Sequence, residues 1–287
     1  MNKIIYNVSK CIPDKLYLQL MYRRHFHKFM DLKNPKTFNE KINWLKLHNR
    51  RAEYTQMVDK YAVREYIAQK LGEEYLIPLF SVWDDPCEID FDKLPDQFVL
   101  KWNDDSGSVV LCRDKSKLNK QEVIRSLAAK KKHNGYWYGR EWPYKNVKKK
   151  IIAEQYMSDK KDESKGLTDY KFYCFNGEPR FLYVSEGLEN HETARISFLN
   201  LDWTFAEYER SDFAPFDELP KKPDLFDEMI DVAKKLSAGE PFLRVDLYEI
   251  NNKVYFSELT FSPCAGLMPF KNKDHDLELG AMIELPM

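Results

Sequence analysis

Residues 242–266, FLRVDLYEINNKVYFSELTFSPCAG, constrain this chain more than any other stretch. Leu243, Val245 and Leu247 alternate with Arg244, Asp246 and Tyr248, and Val254, Phe256 and Leu259 continue in a second apolar run. Alternation with a period of two predicts two half-buried strands. Asn251-Asn252 lies between them, and asparagine tolerates the positive φ that a tight hairpin turn requires. Folded about this turn, Asp246 and Glu258 come to equivalent depths on the two arms, beside Arg244. Carboxylates hold hard cations, and a guanidinium takes phosphate oxygens two at a time. The trio therefore suits a magnesium-bound polyphosphate. A hairpin with solvated charges on one face fits the same pattern, so the acidic pair alone defines no site.

The flanking chain gives the hairpin its setting. Residues 1 to about 72 read as helical. Pro13 precedes a segment from Asp14 to Lys28, and Thr37 with Glu40 forms a capping box ahead of Ile42, Leu45 and Leu47. Tyr54 to Leu71 reads as one further helix, with Gly72 closing it. Lys41, Lys46 and Arg50 are read as solvated helix positions. The period then changes from 3.6 to 2. Strands are expected over 75–83, 97–102 and 108–113, then a helix from Asn119 to about Lys132, then a buried strand over 148–157. A polar segment, SDKKDESKGLTD, follows. Asn176-Gly177 is a hairpin signal between 170–175 and 180–185, and 194–199 reads as another strand. Pro223 to Ser237 is an amphipathic helix, and a last helix begins near Asp274.

This pattern predicts an α+β protein in three parts: a helical region over 1–72, a small mixed subdomain over 73–150, and a larger antiparallel sheet with helices over 151–287. A formal net charge of -1 argues against a general nucleic-acid binder. The five cysteines are scattered, with no C-x-x-C pair, and read as reduced thiols of a cytoplasmic protein. No apolar run approaches the length of a membrane span, and the first residues lack the pattern of a signal peptide.

Several other residues carry chemistry. Lys101 ends an apolar strand just before Ser106-Gly107-Ser108, a small-residue loop whose N–H groups can face a phosphate. The strand IIAEQYM, with Glu154, Gln155 and Tyr156, reads as an edge whose backbone groups can meet a purine. Asp169 and Lys171 share a strand face, suited to a ribose hydroxyl and a phosphate, or to each other. His191 and Arg195 lie where a substrate can rest against the sheet, with Arg195 as a carboxylate or phosphate contact.

Taken in order, KTFNEKINWLKLHNR, FVLKWNDDSGS, IIAEQYM, DYKFYCFNGEPRFLYV and LRVDLYEINNKVYFSELTFSPCAG resemble the ATP-grasp superfamily, and more closely its TupA-like family, found among bacterial cell-surface polysaccharide genes. The resemblance implies an ATP-grasp fold, with ATP held between two α+β subdomains. It implies phosphate contacts from Lys101 and Lys171, adenine contacts from Glu154, Gln155 and Tyr156, and Mg²⁺ on Asp246 and Glu258. Arg244 would face the γ-phosphate or an acyl phosphate. Many ATP-grasp enzymes place an asparagine two residues after the last metal glutamate; this chain has Thr260, whose hydroxyl would ligate the metal or orient its water. The implied reaction is ATP-dependent ligation of a carboxylate to an amine through an acyl phosphate, on a sugar acid or peptide in capsular polysaccharide assembly. Polysaccharide-assembly enzymes would be its partners. Two alternatives remain open on the residues: phosphoryl transfer to a sugar or polyol, and a glycosyltransferase or carbohydrate-binding role for the aromatic run YWYGREWPY.

Overall fold

The computed structural model describes residues 9–105, 107–158, 167–187 and 194–286. Ser106, His191 and most of the polar segment 158–169 lie outside the described residues. The chain forms, in order, α1 (Asp14–Phe26), α2 (Phe38–His48), α3 (Glu53–Val58), α4 (Val63–Lys70), β1 (Leu79–Trp83), β2 (Phe98–Trp102), β3 (Val110–Cys112) and α5 (Lys120–Lys130). It continues through β4 (Ile151–Gln155), β5 (Asp169–Phe175), β6 (Glu178–Glu186), β7 (Arg195–Asn200), α6 (Phe226–Ser237), β8 (Phe242–Glu249), β9 (Val254–Thr260) and α7 (Asp274–Ala281). Two antiparallel sheets result, ordered β1-β4-β2-β3 and β7-β6-β5-β8-β9.

The compact units are drawn differently from the sequence boundaries. The larger contains residues 1–50, 139–141 and 158–287, and the smaller 51–138 and 142–157. The first two helices thus pack with the five-stranded sheet rather than standing apart. Strand β4 pairs with β1 and β2, so residues 151–157 join the smaller unit.

In the larger unit one sheet face is aromatic at one end. Tyr173, Phe175, Phe181, Phe198 and Phe242 pack there against Phe38, Ile42 and Leu45 of α2. The start of α2 is set locally. The Thr37 hydroxyl accepts the Glu40 N–H at 3.2 Å, and the Glu40 carboxylate accepts the Thr37 N–H at 3.2 Å. Thr37→Ala is expected to cost about 1 kcal/mol, read as a lower urea midpoint at unchanged m-value. Buried Asn39 then ties α2 to the C-terminal region. Its side chain donates to the Met268 carbonyl (3.1 Å) and to Asp276 (3.0 Å), and accepts the Met268 N–H (2.6 Å).

The basic residues of this region are not solvated as the sequence pattern suggests. Lys41 donates to the Ile283 carbonyl (2.7 Å) and Arg50 pairs with Asp14 (2.8 Å). Lys46 is buried, 4% exposed, and donates to the carbonyls of Gly139 (2.8 Å) and Ala265 (2.6 Å). Main-chain carbonyls satisfy the two ammonium groups, which periodicity cannot foresee.

The helix expected over 54–71 is two helices. The Asp59 carboxylate accepts the N–H groups of Tyr61 (2.8 Å) and Ala62 (3.1 Å) and the Asn103 side-chain N–H (2.7 Å). An aspartate competing for backbone donors interrupts one helix and starts the next. The expected strand over 75–83 begins only at Leu79, after a short turn at Glu73–Tyr75.

Candidate active site

Two hairpins build the charged end of the five-stranded sheet. Asn251 and Asn252 adopt φ of 53° and 59°, and Asn176 and Gly177 adopt 51° and 82°, as turns between right-twisted strands require. Each hairpin carries a register shift. In β8–β9, Leu247 faces Phe256 but Asp246 faces Glu258, so Ser257 is the extra residue. Counted from the turn alone, Asp246 would face Ser257, and Glu258 would point to the opposite side of the sheet. The bulge restores the parity and places the two carboxylates side by side.

Across the sheet, Lys171 faces both Tyr183 and Asp246, while Tyr173 faces Arg244, which faces Thr260. One face therefore carries Tyr183, Lys171, Asp246 and Glu258 in one row and Tyr173, Arg244 and Thr260 in the next. Arg244 donates to both oxygens of Asp246, through Nε and Nη2 at 2.7 Å each, and to the Thr260 hydroxyl at 2.9 Å. Lys171 lies 3.0 Å from Asp246 and 3.0 Å from Asp169. Both cations also sit over the Tyr183 ring, 6.0 and 5.8 Å from its centroid.

Asp246 is fully buried, and burial pushes its carboxyl upward, but Arg244 and then Lys171 outweigh it and hold it below the ordinary carboxylate range. Burial disfavours the Lys171 ammonium, yet Asp169 and Asp246 hold its pKa well above the usual value. For Asp169 burial wins, and its pKa is raised. Formally two cations, Lys171 and Arg244, share this face with three carboxylates, Asp169, Asp246 and Glu258.

Among the described residues, no group of three or more His, Cys, Asp or Glu side chains is spaced to hold a metal by itself. Asp246 and Glu258 form a pair of carboxylates with the Thr260 hydroxyl beside them. Such a set fits Mg²⁺, which keeps several waters and binds through one or two carboxylates plus substrate phosphates.

The smaller unit gathers other expected residues. Lys101, on β2, pairs with Glu154 at 2.6 Å, and Arg64 lies 3.6 Å from the same carboxylate. The buried strand is central: residues 151–155 pair on both sides, and the Gln155 N–H is spent on the Pro78 carbonyl (2.9 Å). Its backbone therefore has no open edge within the strand, and any free main-chain groups begin at Tyr156. The Tyr156 hydroxyl accepts from Arg113 (3.0 Å), and both residues line a cleft of about 770 Å³ with Gln155, Gln97 and Phe80.

In the small-residue loop, the Asp105 carboxylate accepts the N–H of Gly107 (3.1 Å), the N–H of Ser108 (2.9 Å) and the Ser108 hydroxyl (2.5 Å). Those N–H groups are satisfied from within the loop. Asp104 is buried and pairs with Lys149 (3.0 Å). Arg195 sits in β7 opposite Glu186, and its guanidinium donates to the Ala194 carbonyl (3.1 Å) rather than to the Lys171–Arg244 cluster.

Sequence reasoning passed over Tyr183, Glu141 and Arg210, and read Lys46 as solvated. Glu141 belongs to the short stretch 139–141 that packs in the larger unit, where Lys46, Glu258 and Arg244 act on it electrostatically. Burial lowers the Lys46 pKa and raises that of Glu141, so each charge depends on the other. Lys46→Met alone is expected to cost about 3 kcal/mol, because it strands a buried charge, and Glu141→Gln similarly. The double variant should recover most of that loss in a denaturation cycle. Additive losses would show that the two do not form a pair.

The model described as TupA-like ATP-grasp matches residues 40–284, and the chain belongs to that family. No curated protein sequence matches it significantly. Among solved structures it is similar to D-alanine–D-alanine ligase from Helicobacter pylori, with 16% identity and a TM-score of 0.49, covering 87% of this chain and 70% of that one. It is also similar to the D-alanine–D-alanine ligase of Bacillus anthracis (15% identity, TM-score 0.41, 72% of this chain and 57% of that one). A third is D-alanyl-alanine synthetase A from Vibrio cholerae (12% identity, TM-score 0.42, 84% of this chain and 62% of that one). The chain thus spans less than two thirds of the length of the latter two. Among the described residues, no helix is long and apolar enough to cross a membrane.

Proposed function

We propose that the protein is an ATP-dependent carboxylate–amine ligase working through an acyl phosphate. The observation that carries this reading is the buried Arg244–Asp246–Lys171 cluster with Glu258 directly opposite Asp246. In this reading Asp246, Glu258 and Thr260 hold Mg²⁺. Magnesium, when bound, supplies neutralisation of phosphate charge. Lys171 and Arg244 take phosphate oxygens, and Arg244 then holds the acyl phosphate. Lys101 and the loop Ser106-Gly107-Ser108 take phosphate oxygens in the smaller unit, Glu154, Gln155 and Tyr156 hold adenine, and Asp169 bonds the ribose. For the loop to serve, Asp105 must release its two N–H groups. The substrate carboxylate attacks the γ-phosphorus, ADP leaves, and the amine then displaces phosphate to form the amide. The proposed acid is a sugar acid or peptide in cell-surface, capsular polysaccharide assembly, in the cytoplasm and alongside other assembly enzymes; family membership and the absence of a membrane-crossing helix among the described residues support this.

Mg-ATP and Mg-ADP are expected to raise the melting temperature, and nucleotide sugars are not. A shift only with nucleotide sugars would instead indicate a glycosyltransferase. With an active acid–amine pair, ADP, inorganic phosphate and amide should appear in equal amounts. A phosphorylated product without released phosphate would make the protein a kinase. Glu258→Gln should lower turnover at least ~100-fold while the fold persists, since this side chain is half-buried rather than enclosed in the core as Asp246 is. Intact ATP turnover in that variant would remove Glu258 from the metal site.

A further inference from the structure

The connection between β7 and α6 places a second arginine beside the first. A bridge between Arg210 and Phe270, with bonds Ser211 N–H to Pro269 O and Lys271 N–H to Glu209 O, fixes Arg210 against the chain that follows β9. Arg210 donates through Nε (2.9 Å) and Nη2 (2.7 Å) to Asp212. Arg244 does the same to Asp246. Both are Arg-x-Asp pairs with a nearly buried arginine side chain, 9% and 12% exposed.

Opposite Arg244 in the sheet stands a buried polar group, the Tyr173 hydroxyl. The Tyr173 hydroxyl is fully buried and has no hydrogen-bond partner among the described residues, although its ring packs on Phe181, 5.0 Å between centroids. Tyr173 faces Arg244 across β5 and β8, and the Phe181 ring that stacks on it also packs on Tyr208, two residues before Arg210, so both guanidiniums act on the hydroxyl electrostatically, as do Tyr183 and Cys264. Tyr183 feels both arginines as well. A buried phenol without a partner is costly, and such a group in a native structure is accounted for by strain, an ordered water or ion, or a functional role. Two pre-oriented guanidinium edges and a phenol O–H supply donors only. They match an oxyanion, and the planar fork of arginine suits a carboxylate.

We propose that Arg210 and Tyr173 form the subsite that receives the carboxylate of the acid substrate, next to Arg244. The proposal rests on the ligase reading, which requires such an acid. Asp212 holds the Arg210 fork in place, as Asp246 holds that of Arg244. The sequence signal is the repeated Arg-x-Asp at 210–212 and 244–246.

The test uses trifluoroacetate as the carboxylate probe, followed by ¹⁹F line broadening on the whole protein at constant ionic strength. Wild type should broaden the line. Tyr173→Phe removes a hydroxyl that bonds nothing among the described residues, so its melting temperature should be unchanged or higher, yet its affinity for the probe should fall about tenfold. Arg210→Gln should abolish the broadening, and Arg210→Lys should restore only part of it, because an ammonium lacks the fork. Equal broadening in wild type and Tyr173→Phe, or none in wild type, overturns the subsite. Mg-ADP affinity, measured on the same samples, should be the same in all four proteins. Loss of Mg-ADP binding in wild type would instead overturn the ligase reading, which separates the two failures.

Discussion

Asp246→Asn is expected to lower stability by about 3–5 kcal/mol and to abolish ATP-dependent turnover. The side chain is fully buried and accepts three hydrogen bonds, two from Arg244 and one from Lys171. An amide keeps the shape but removes the charge, and its N–H₂ group turns a donor toward a guanidinium or an ammonium. Lys171 would then be left with Asp169, whose carboxyl pKa burial raises, and Arg244 would lose its carboxylate partner. The pH dependence gives an independent reading. A carboxylate whose folded pKa is depressed contributes stability above its unfolded value, near 4, and loses it as the pH falls through the folded value. Lys171 has the opposite sign. Its raised pKa contributes stability below the ordinary lysine value, lost only in strong base. Wild type should therefore destabilise progressively on the acid side, and Asp246→Asn should flatten that fall. Urea midpoints at pH 3, 5 and 7 would show it. Unchanged stability at pH 7 would mean that the cluster contributes nothing to folding.

Gly280→Ala is expected to cost at least about 3 kcal/mol, without touching any charged residue. A Cβ at this position of α7 would lie 2.1 Å from the Lys36 carbonyl oxygen, 2.5 Å from the Thr37 carbonyl carbon and 2.6 Å from the Phe38 nitrogen. These are backbone atoms at the start of α2, the turn fixed by the capping box. They cannot swing aside as a side chain does, so the helix must move or the cap must open. Overpacking of this kind normally costs 1–3 kcal/mol, and more where main chain blocks relaxation. Ordinary helix propensity would make the same change favourable by nearly 1 kcal/mol, so the sign of the result alone decides between local preference and close approach. A denaturation midpoint at or above wild type would show that α7 does not dock this tightly on α2.

Much of the site is legible in the chain itself. Arg244, Asp246, Glu258 and Lys171 lie on strands whose alternation is written in the sequence, and the fold brings them onto one face. Lys101 and Glu154 meet in the smaller unit. Arg195 does not join the cluster, because its guanidinium turns to a neighbouring carbonyl. Lys46 and Arg210 could not be read as buried. Each sits among residues that look solvated, and each is held by groups remote in sequence: the carbonyls of Gly139 and Ala265 for one, a bridge to Phe270 for the other. The helix break at Asp59 escapes periodicity for a related reason. The carboxylate that interrupts the helix is braced by Asn103, 44 positions away.

Local features follow from the sequence alone. The two asparagine-containing turns, the capping box at Thr37 and the period-two strands depend on φ, ψ and side chains a few residues apart, and each forms as those preferences dictate. Parity and burial follow from tertiary packing. The turn at Asn251-Asn252 sets a register in which Asp246 faces Ser257 and Glu258 lies on the other side. A single bulge at Ser257 advances the strand by one residue. Because side chains alternate with a period of two, that one residue moves Glu258 across the sheet to Asp246. The acidic pair is written in the chain, and the packed sheet brings its two members together.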